Sequence, residues 1–245
     1  MNKIIEFSCP KDYLNNKFFL PEPIKLNIPE WFKKLNHDID NLTIKGCMPF
    51  LDTLTTGYLL KVPQDIKIKF NIDNEKKGKK DTFVKFSFDE FSGVADKINL
   101  NLNHLKKLNS HPQYQILGSS FLEQNKNNPV LKIINPWTIK TPKDYSCLFL
   151  PPLNNKDDRF EIIPGIVDTD CFNSEVNFPI IINGYKYETL ETTIKAGTPY
   201  VQVIPFKKES WKMILKEKKE DSTLKLCSLL INKYKRLFWN KISWN

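Results

Sequence analysis

The densest run of apolar and β-branched residues in this 245-residue chain lies between Pro129 and Asp170. Proline cannot donate a backbone hydrogen bond, so it occupies turns and sheet edges rather than strand interiors. Five internal prolines therefore divide the run into pieces of strand length: Pro136, Pro142, Pro151, Pro152 and Pro164. This pattern is typical of strands joined by turns. We predict strands at Val130–Ile134, Tyr145–Leu150 and Phe160–Ile163.

Segments on both sides of this run alternate apolar and polar residues, which predicts strands with one solvent-exposed face. The predicted strands are Tyr58–Val62, Ile66–Ile72, Phe83–Phe88, Phe178–Ile182, Tyr185–Leu190 and Tyr200–Phe206. Asn183-Gly184 separates two of them and favours a type I′ hairpin turn. Because the strands follow one another at short spacing without intervening helices, we predict a mainly β fold. Its expected form is an antiparallel β-sandwich or jelly-roll-like barrel.

The N-terminal 57 residues are rich in proline, which disfavours helix in the residue before it. This composition predicts an N-terminal arm that lies on the body of the protein. Two short helices are expected within it, over Pro29–Leu35 and Pro49–Thr56, and Gly57 is a suitable residue to end the second. We expect residues 1–206 to form a single β-sandwich domain that includes this arm.

The formal net charge of +9 is concentrated in a C-terminal tail over residues 207–245. The tail holds 11 Lys and Arg against 4 Asp and Glu, whereas residues 1–206 have a net charge of only +2. A stripe of apolar residues three or four apart predicts an amphipathic helix, and it comprises Leu224, Cys227, Ile231, Tyr234 and Phe238. Lys225, Lys235 and Arg236 lie off this stripe. Such a basic helix can dock on its own body, lie on a membrane surface, pair with a partner helix or contact nucleic acid, although base recognition favours Arg over Lys.

Two carboxylates and two imidazoles are the candidates for a pocket or cation site. Asp168 and Asp170 stand two residues apart, which in a strand places both on one face, where they can bind a cation or divide acid and base roles. They can equally cap a loop by accepting backbone N–H bonds. His104 and His111 have no third ligand at a recognisable spacing, so a hydrogen-bonded structural role is the alternative to metal ligation.

Three aromatic residues, Trp31, Phe32 and Trp137, are candidates for an interaction surface, with burial as the alternative. The sequence has no Gly-rich phosphate loop, no GxSxG and no HExxH, and no cofactor or bound metal is expected. Five scattered cysteines favour reduced thiols, with Cys147 and Cys227 as core residues. The sequence also has no apolar run of transmembrane length and no signal-peptide pattern, so we expect neither a transmembrane segment nor signal-dependent secretion.

Several motifs carry a resemblance to a known family. They are Ile28-Pro29-Glu30-Trp31-Phe32-Lys33, Cys47-Met48-Pro49-Phe50-Leu51-Asp52, Asn135-Pro136-Trp137-Thr138-Ile139-Lys140-Thr141-Pro142, Pro164-Gly165-Ile166-Val167-Asp168-Thr169-Asp170, and the stretch from Gly197-Thr198-Pro199 through Val203-Ile204-Pro205-Phe206-Lys207. The chain resembles an uncharacterised family of tailed-phage proteins, notably from marine phages, with similar bacterial proteins. The resemblance covers roughly residues 28–60 and 129–212. It implies a phage origin and a location in the host cytoplasm or the virion, and it supplies no catalytic residues.

The chain departs from the family pattern at Asp144, where glycine is expected after Thr-Pro-Lys. Glycine adopts a left-handed backbone conformation more readily than aspartate does. The departure therefore bears on the geometry of this turn.

These observations favour a non-enzymatic structural or protein-interaction module that forms a homo-oligomer or binds other phage proteins. One alternative is a cupin-like metal-dependent enzyme with a barrel pocket lined by His104, His111, Asp168 and Asp170. Another is nucleic-acid binding through the lysine-rich tail, which predicts an affinity that falls steeply with salt.

Overall fold

A computed structural model describes residues 3–15, 17–72, 82–88, 109–111, 113–125, 130–217 and 233–245. Within these ranges the fold is mainly β, as predicted, with antiparallel sheets and only short helices. The strands are β1 (Glu6–Ser8), β2 (Glu22–Pro23), β3 (Tyr58–Lys61), β4 (Ile66–Ile72), β5 (Thr82–Phe88), β6 (Asn109–His111), β7 (Val130–Ile133), β8 (Thr138–Lys140), β9 (Tyr145–Leu150), β10 (Phe160–Ile162), β11 (Gly165–Val167), β12 (Phe178–Ile182), β13 (Thr189–Ile194) and β14 (Pro199–Lys207). The α-helices are α1 (Lys11–Leu14), α2 (Glu30–Lys34), α3 (Met48–Thr53), α4 (Ser120–Gln124) and α5 (Lys233–Leu237). Single 3-10 turns lie at Lys17–Phe19, Ile24–Asn27, Ile44–Gly46 and Gln113–Ile116.

The largest sheet has five antiparallel strands in the order β11, β9, β14, β3, β2. β14 lies at its centre and pairs with β9 from Gln202, opposite Leu150, to Lys207, opposite Tyr145. Successive side chains of a strand point to opposite faces of the sheet, yet residues 200–203 are all buried. Both faces of β14 are therefore covered, which explains its nearly continuous apolar sequence.

A second sheet has four strands in the order β10, β12, β7, β6. Residues 180–182 of β12 are fully buried, so both faces of this strand are covered too. The two sheets meet through aromatic rings. Phe178 of β12 lies 5.3 Å from Phe149 of β9 and 5.7 Å from Tyr200 of β14, measured between ring centroids. The hydrophobic core thus lies where these sheets contact each other.

Two smaller sheets complete the described β structure, one of β13, β4 and β5 and one of β1 and β8. β4 confirms the predicted period of two, because Ile66 and Ile68 are buried while Lys67 and Lys69 are exposed. Over the described ranges each of the four sheets is open, so none of them closes into the predicted barrel.

Both N-terminal helices form close to their predicted positions. α2 begins directly after Pro29, with Glu30 in its first turn and two lysines in its last, as the helix dipole favours. α3 ends at Thr53, three residues before the predicted boundary. Gly57 nevertheless has a positive φ of 83°, which is the left-handed conformation that favours glycine.

The predicted Asn183-Gly184 hairpin is wrong. A type I′ turn requires positive φ at both central residues, and neither has one. Asn183 is instead buried, with its side-chain amide donating to the Asp158 carbonyl at 2.8 Å, and the Gly184 N–H donates to Asn125 Oδ1 at 2.9 Å. These long-range bonds outweigh the local turn preference. The return strand predicted at Tyr185–Leu190 is wrong over residues 185–188, which form no strand. The next strand, β13, begins at Thr189 and pairs with β4 rather than β12.

The two ends of the described chain meet beside β3. The ring of Tyr58 contacts Phe7 at 5.5 Å and Trp244 at 5.9 Å, both edge to face. The indole N–H of Trp239 donates to the carboxylate of Asp52 in α3 at 3.1 Å. The C-terminal residues therefore dock on the body through tryptophans that follow α5.

The predicted tail helix is described only at its C-terminal end, as α5. Tyr234 and Phe238, which belong to the predicted apolar stripe, are both about half exposed. The N-terminal part of the stripe, Leu224, Cys227 and Ile231, lies outside the described residues. Docking of this helix on the body through its stripe thus remains a prediction.

Candidate functional site

The Asp168-Thr169-Asp170 sequence forms a turn rather than a strand face. β11 ends at Val167, and the backbone N–H groups of Cys171 and Phe172 donate to the Asp168 carbonyl at 3.1 and 2.9 Å. The predicted sharing of one strand face is therefore wrong. The two carboxylates are nevertheless brought together, because both face the ammonium group of Lys208.

Lys208 is the cation between the two aspartates. Its Nζ lies 2.8 Å from Asp170 Oδ2 and 3.7 Å from Asp168 Oδ1. Asp170 Oδ2 also accepts the backbone N–H of Asp144 at 3.0 Å, and Asp168 Oδ1 accepts the hydroxyl of buried Ser146 at 2.6 Å. The charges of the pair are thus compensated from within the chain. This arrangement favours the loop-capping interpretation of the two aspartates, with Asp170 bound to a backbone N–H.

Thr169, between the two aspartates, is fully buried. Its hydroxyl lies 2.7 Å from that of Thr141 and 3.4 Å from the sulfur of Cys147. Burial raises the pKa of the Cys147 thiol to about 11, so this thiol stays protonated at neutral pH and is a core residue, as predicted. The turn therefore ties β8, β9, β11 and the end of β14 together.

The hydrogen bond from Lys208 lowers the pKa of Asp170, and the Asp144 N–H acts in the same direction. A lowered folded-state pKa contributes stability that is present above the unfolded pKa of about 3.9 and is lost as pH falls through the folded value. We expect Asp170→Asn to destabilise the protein at pH 7 and to flatten the loss of stability below pH 4. Urea unfolding at pH 3 to 7 measures both effects. The control Asp40→Asn changes an exposed loop carboxylate, and an equal flattening in it would contradict the assignment.

The turn before β9 has a left-handed residue at its second central position. The Tyr145 N–H donates to the Pro142 carbonyl at 3.2 Å, so Pro142 is the first residue of the turn. Asp144, at the second central position, has a φ of 67°. This is the left-handed conformation that favours glycine.

We expect Asp144→Ala to destabilise the protein by about 1 kcal/mol, because alanine lacks the tolerance of aspartate for this conformation. Asp144→Gly should be neutral or slightly stabilising, since relief of backbone strain is offset by the larger entropy of the unfolded chain. Urea denaturation of both variants gives the comparison. A Gly variant less stable than the Ala variant would contradict the strain argument.

The side chains of the two candidate histidines lie outside the description. His104 lies outside the described residues, and His111 ends β6 with its side chain outside the description. In the described ranges no group of three or more His, Cys, Asp or Glu side chains is arranged to hold a metal ion. Asp168 is largely exposed beside Lys208, and Asp170 is paired with the same lysine.

Two of the aromatic candidates are core residues. Phe32 is buried and stacks on Phe50 at 5.8 Å, and Trp137 is buried with its ring 6.1 Å from that of Phe19. Neither can form an exposed surface, because each fills space between elements of the body. Trp31 remains half exposed at the edge of the Phe32–Phe50 pair.

The basic candidates of the tail are partly described. Lys235 and Arg236 lie in α5 and are exposed, whereas Lys225 lies outside the described residues. Among the described helices, none combines the length and apolarity that a membrane span requires.

Sequence reasoning missed the most exposed group of apolar residues in the described part of the chain. Residues 208–217, here called the exposed segment, follow β14 and form neither helix nor strand. Trp211, Met213, Ile214 and Leu215 are 66–89% exposed. The sequence does contain a signal for this segment, because four large apolar residues follow the last predicted strand closely. They lie within residues 207–245, which the sequence analysis treats as one helical tail.

These observations define a mainly β protein with antiparallel sheets. Its two distinguishing features are the aspartate turn that Lys208 bridges and the exposed segment. No protein-family model matches the chain, and the search of curated proteins finds no match.

Proposed function

We propose that this chain is a non-enzymatic protein-interaction module that binds another protein through the exposed segment. The observation that carries the proposal is the exposure of Trp211, Met213, Ile214 and Leu215 to solvent. Contiguous apolar surface of this kind marks interaction sites more often than ordinary protein surface. Full burial of one such side chain contributes about 1.5–3 kcal/mol, so a partner that covers all four gains a substantial free energy.

The composition of the exposed segment suits a protein partner. Tryptophan and methionine are enriched in the buried centres of protein interfaces, and charged residues are typical of their rims. Lys212 and Lys216 lie on either side of Met213, Ile214 and Leu215 and supply such a rim. Trp211 is the residue with the largest apolar surface and is the expected centre of the contact.

The exposed segment begins from a fixed point on the body. The Lys208 N–H donates to the Asp144 carbonyl at 2.8 Å, and its ammonium group is held by Asp170 at 2.8 Å. Fixing one end reduces the conformational freedom that binding must remove, which improves affinity without new contacts. The aspartate turn therefore serves, in this proposal, as the mount of an interaction segment.

We propose a β-sandwich of jelly-roll type for the body, because aromatic contacts join the faces of the five-stranded and four-stranded sheets. The motif resemblance supports a phage origin, with the protein acting in the host cytoplasm or the virion. The left-handed Asp144, at the position of the family's glycine, is consistent with that resemblance.

A photo-crosslinking amino acid at position 211 tests the function. We expect p-benzoylphenylalanine in place of Trp211 to give discrete protein adducts when the full chain is illuminated in cells that produce it. The matched control replaces Ile39, which is 73% exposed in a loop on the body. Adducts to lipid or nucleic acid alone, or equal adducts from both positions, would overturn the proposal.

A further inference from the structure

We infer that the partner of the exposed segment is a second copy of this chain, which receives the segment along the open edge of its strand β11. This inference rests on the proposed function and names the partner. Two surfaces of the same chain both expose apolar side chains, carry opposite charges, and lie side by side.

The first surface is the edge of the five-stranded sheet. β11 pairs with β9 on one side, and in the described part of the chain no strand pairs with its other side. Ile166 in this strand is 64% exposed, and a methyl group added to Gly165 would meet no atom within 4 Å. Phe172, shortly after the strand, is also exposed. The edge thus offers open backbone beside apolar side chains, as sites of strand addition do.

The second surface is the exposed segment itself. In a strand, Trp211, Met213 and Leu215 would project to one face, and Lys212, Ile214 and Lys216 to the other. The apolar face would cover Ile166 and Phe172 of the second copy. As an extended chain the nine residues after Lys208 span up to about 30 Å, which is ample for a three-residue edge strand.

The position of the two surfaces favours exchange between identical copies. Asp168 directly follows β11, and its carboxylate lies 3.7 Å from the ammonium of Lys208, where the exposed segment begins. A two-fold axis beside this point places the segment of each copy opposite the edge of the other. Two equal contacts then form and the assembly closes as a dimer.

Charge complementarity also favours a second copy of the chain as the partner. Glu175, which follows β11, is exposed, whereas Lys212 and Lys216 flank the apolar residues of the exposed segment; of the two glutamates in the segment, Glu209 is paired with Lys207 and Glu217 lies at the end. Opposite charges of this kind orient the partners and exclude wrong registers. The same lysines would repel one another if two segments met directly.

Sedimentation velocity of the full chain at micromolar to 100 micromolar concentration tests the inference. We expect a dimer whose dissociation constant rises at least tenfold in the segment variant Trp211→Ser/Met213→Ser and in the edge variant Ile166→Lys. These side chains are exposed, so the fold should survive, and circular dichroism verifies it. The control Ile39→Ser removes an equally exposed apolar residue and should leave the constant unchanged. A monomer at every concentration, or a dimer that neither variant weakens, would overturn the inference.

Disulfide trapping identifies the contact directly. One copy carries Trp211→Cys and a second, differently tagged copy carries Ile166→Cys, both with Cys171→Ser to remove an exposed thiol. We expect a disulfide between the two tagged copies and none when Ile39→Cys replaces Ile166→Cys. The photo-crosslinks at position 211 separate the two proposals. Adducts to a different protein alone would leave the function standing and refute the second-copy partner, whereas absence of any protein adduct would refute both.

Discussion

Gly57→Ala is expected to destabilise the protein by about 2–5 kcal/mol. Gly57 has a φ of 83°, and a Cβ at this position would lie 2.2 Å from the carbonyl oxygen of Val203 in β14. A left-handed conformation costs an L-residue about 1–2 kcal/mol, and overpacking adds about 1–3 kcal/mol. The obstacle is backbone in the central strand of the largest sheet, so it cannot move aside as a flexible side chain would. Urea unfolding of the variant measures the loss.

Gly118→Ala is the matched control for this expectation. Gly118 has a nearly identical φ of 79°, but a Cβ there would meet no atom within 4 Å. Its substitution should therefore show the conformational cost alone, about 1–2 kcal/mol. The difference between the two variants isolates the clash with Val203. Equal losses would show that β14 relaxes to admit the methyl group.

Gln202→Leu is expected to destabilise the protein by about 2–6 kcal/mol. Gln202 is fully buried in β14, its Oε1 accepts the Leu153 N–H at 2.8 Å, and its amide donates to the Thr56 carbonyl at 2.8 Å. Leucine has a similar volume but leaves both backbone groups without a partner. Each unsatisfied buried group costs about 1–3 kcal/mol. Thermal and urea unfolding measure the loss.

Asn154→Gly provides the comparison for Gln202. The Asn154 amide donates to the Thr53 hydroxyl at 2.7 Å, so it joins the same loop to the same helix, but at an exposed site. Asn154 also has a φ of 57°, which glycine adopts readily. We expect a loss below about 1 kcal/mol, since water can replace an exposed partner. A Gln202 variant no less stable than this one would mean that the loop rearranges to satisfy its own backbone.

The strands were the part of the fold most accessible from sequence. The bounds of β4, β9 and β12 agree with those predicted from alternation and from apolar runs between prolines. Both patterns reflect burial on one or both faces, which depends on each strand's own residues. The pairing of strands was not accessible in the same way. β13 pairs with β4, more than 100 residues earlier, and local turn signals carry no information about such a partner.

The candidate site was likewise predictable where it depends on local sequence and not where it depends on long-range contacts. The proximity of Asp168 and Asp170 was predicted, but Lys208 was not, because its role depends on where β14 ends beside β9. Gln202 was likewise missed, since a single polar residue in an apolar strand gives no sign of the carbonyl it will meet. The burial of Phe32 and Trp137 also depended on partners remote in the chain.

Tyr58 couples the attachment of the two ends of the described chain to the body. Because its ring contacts both Phe7 and Trp244, two segments more than 200 residues apart pack against the same side chain. Detachment of either segment would bare one side of the ring and weaken the support of the other. Fraying of the first strand and release of the C-terminal tryptophans should therefore be correlated events. Hydrogen exchange in residues 6–8 would then report on whether the far end of the protein is attached.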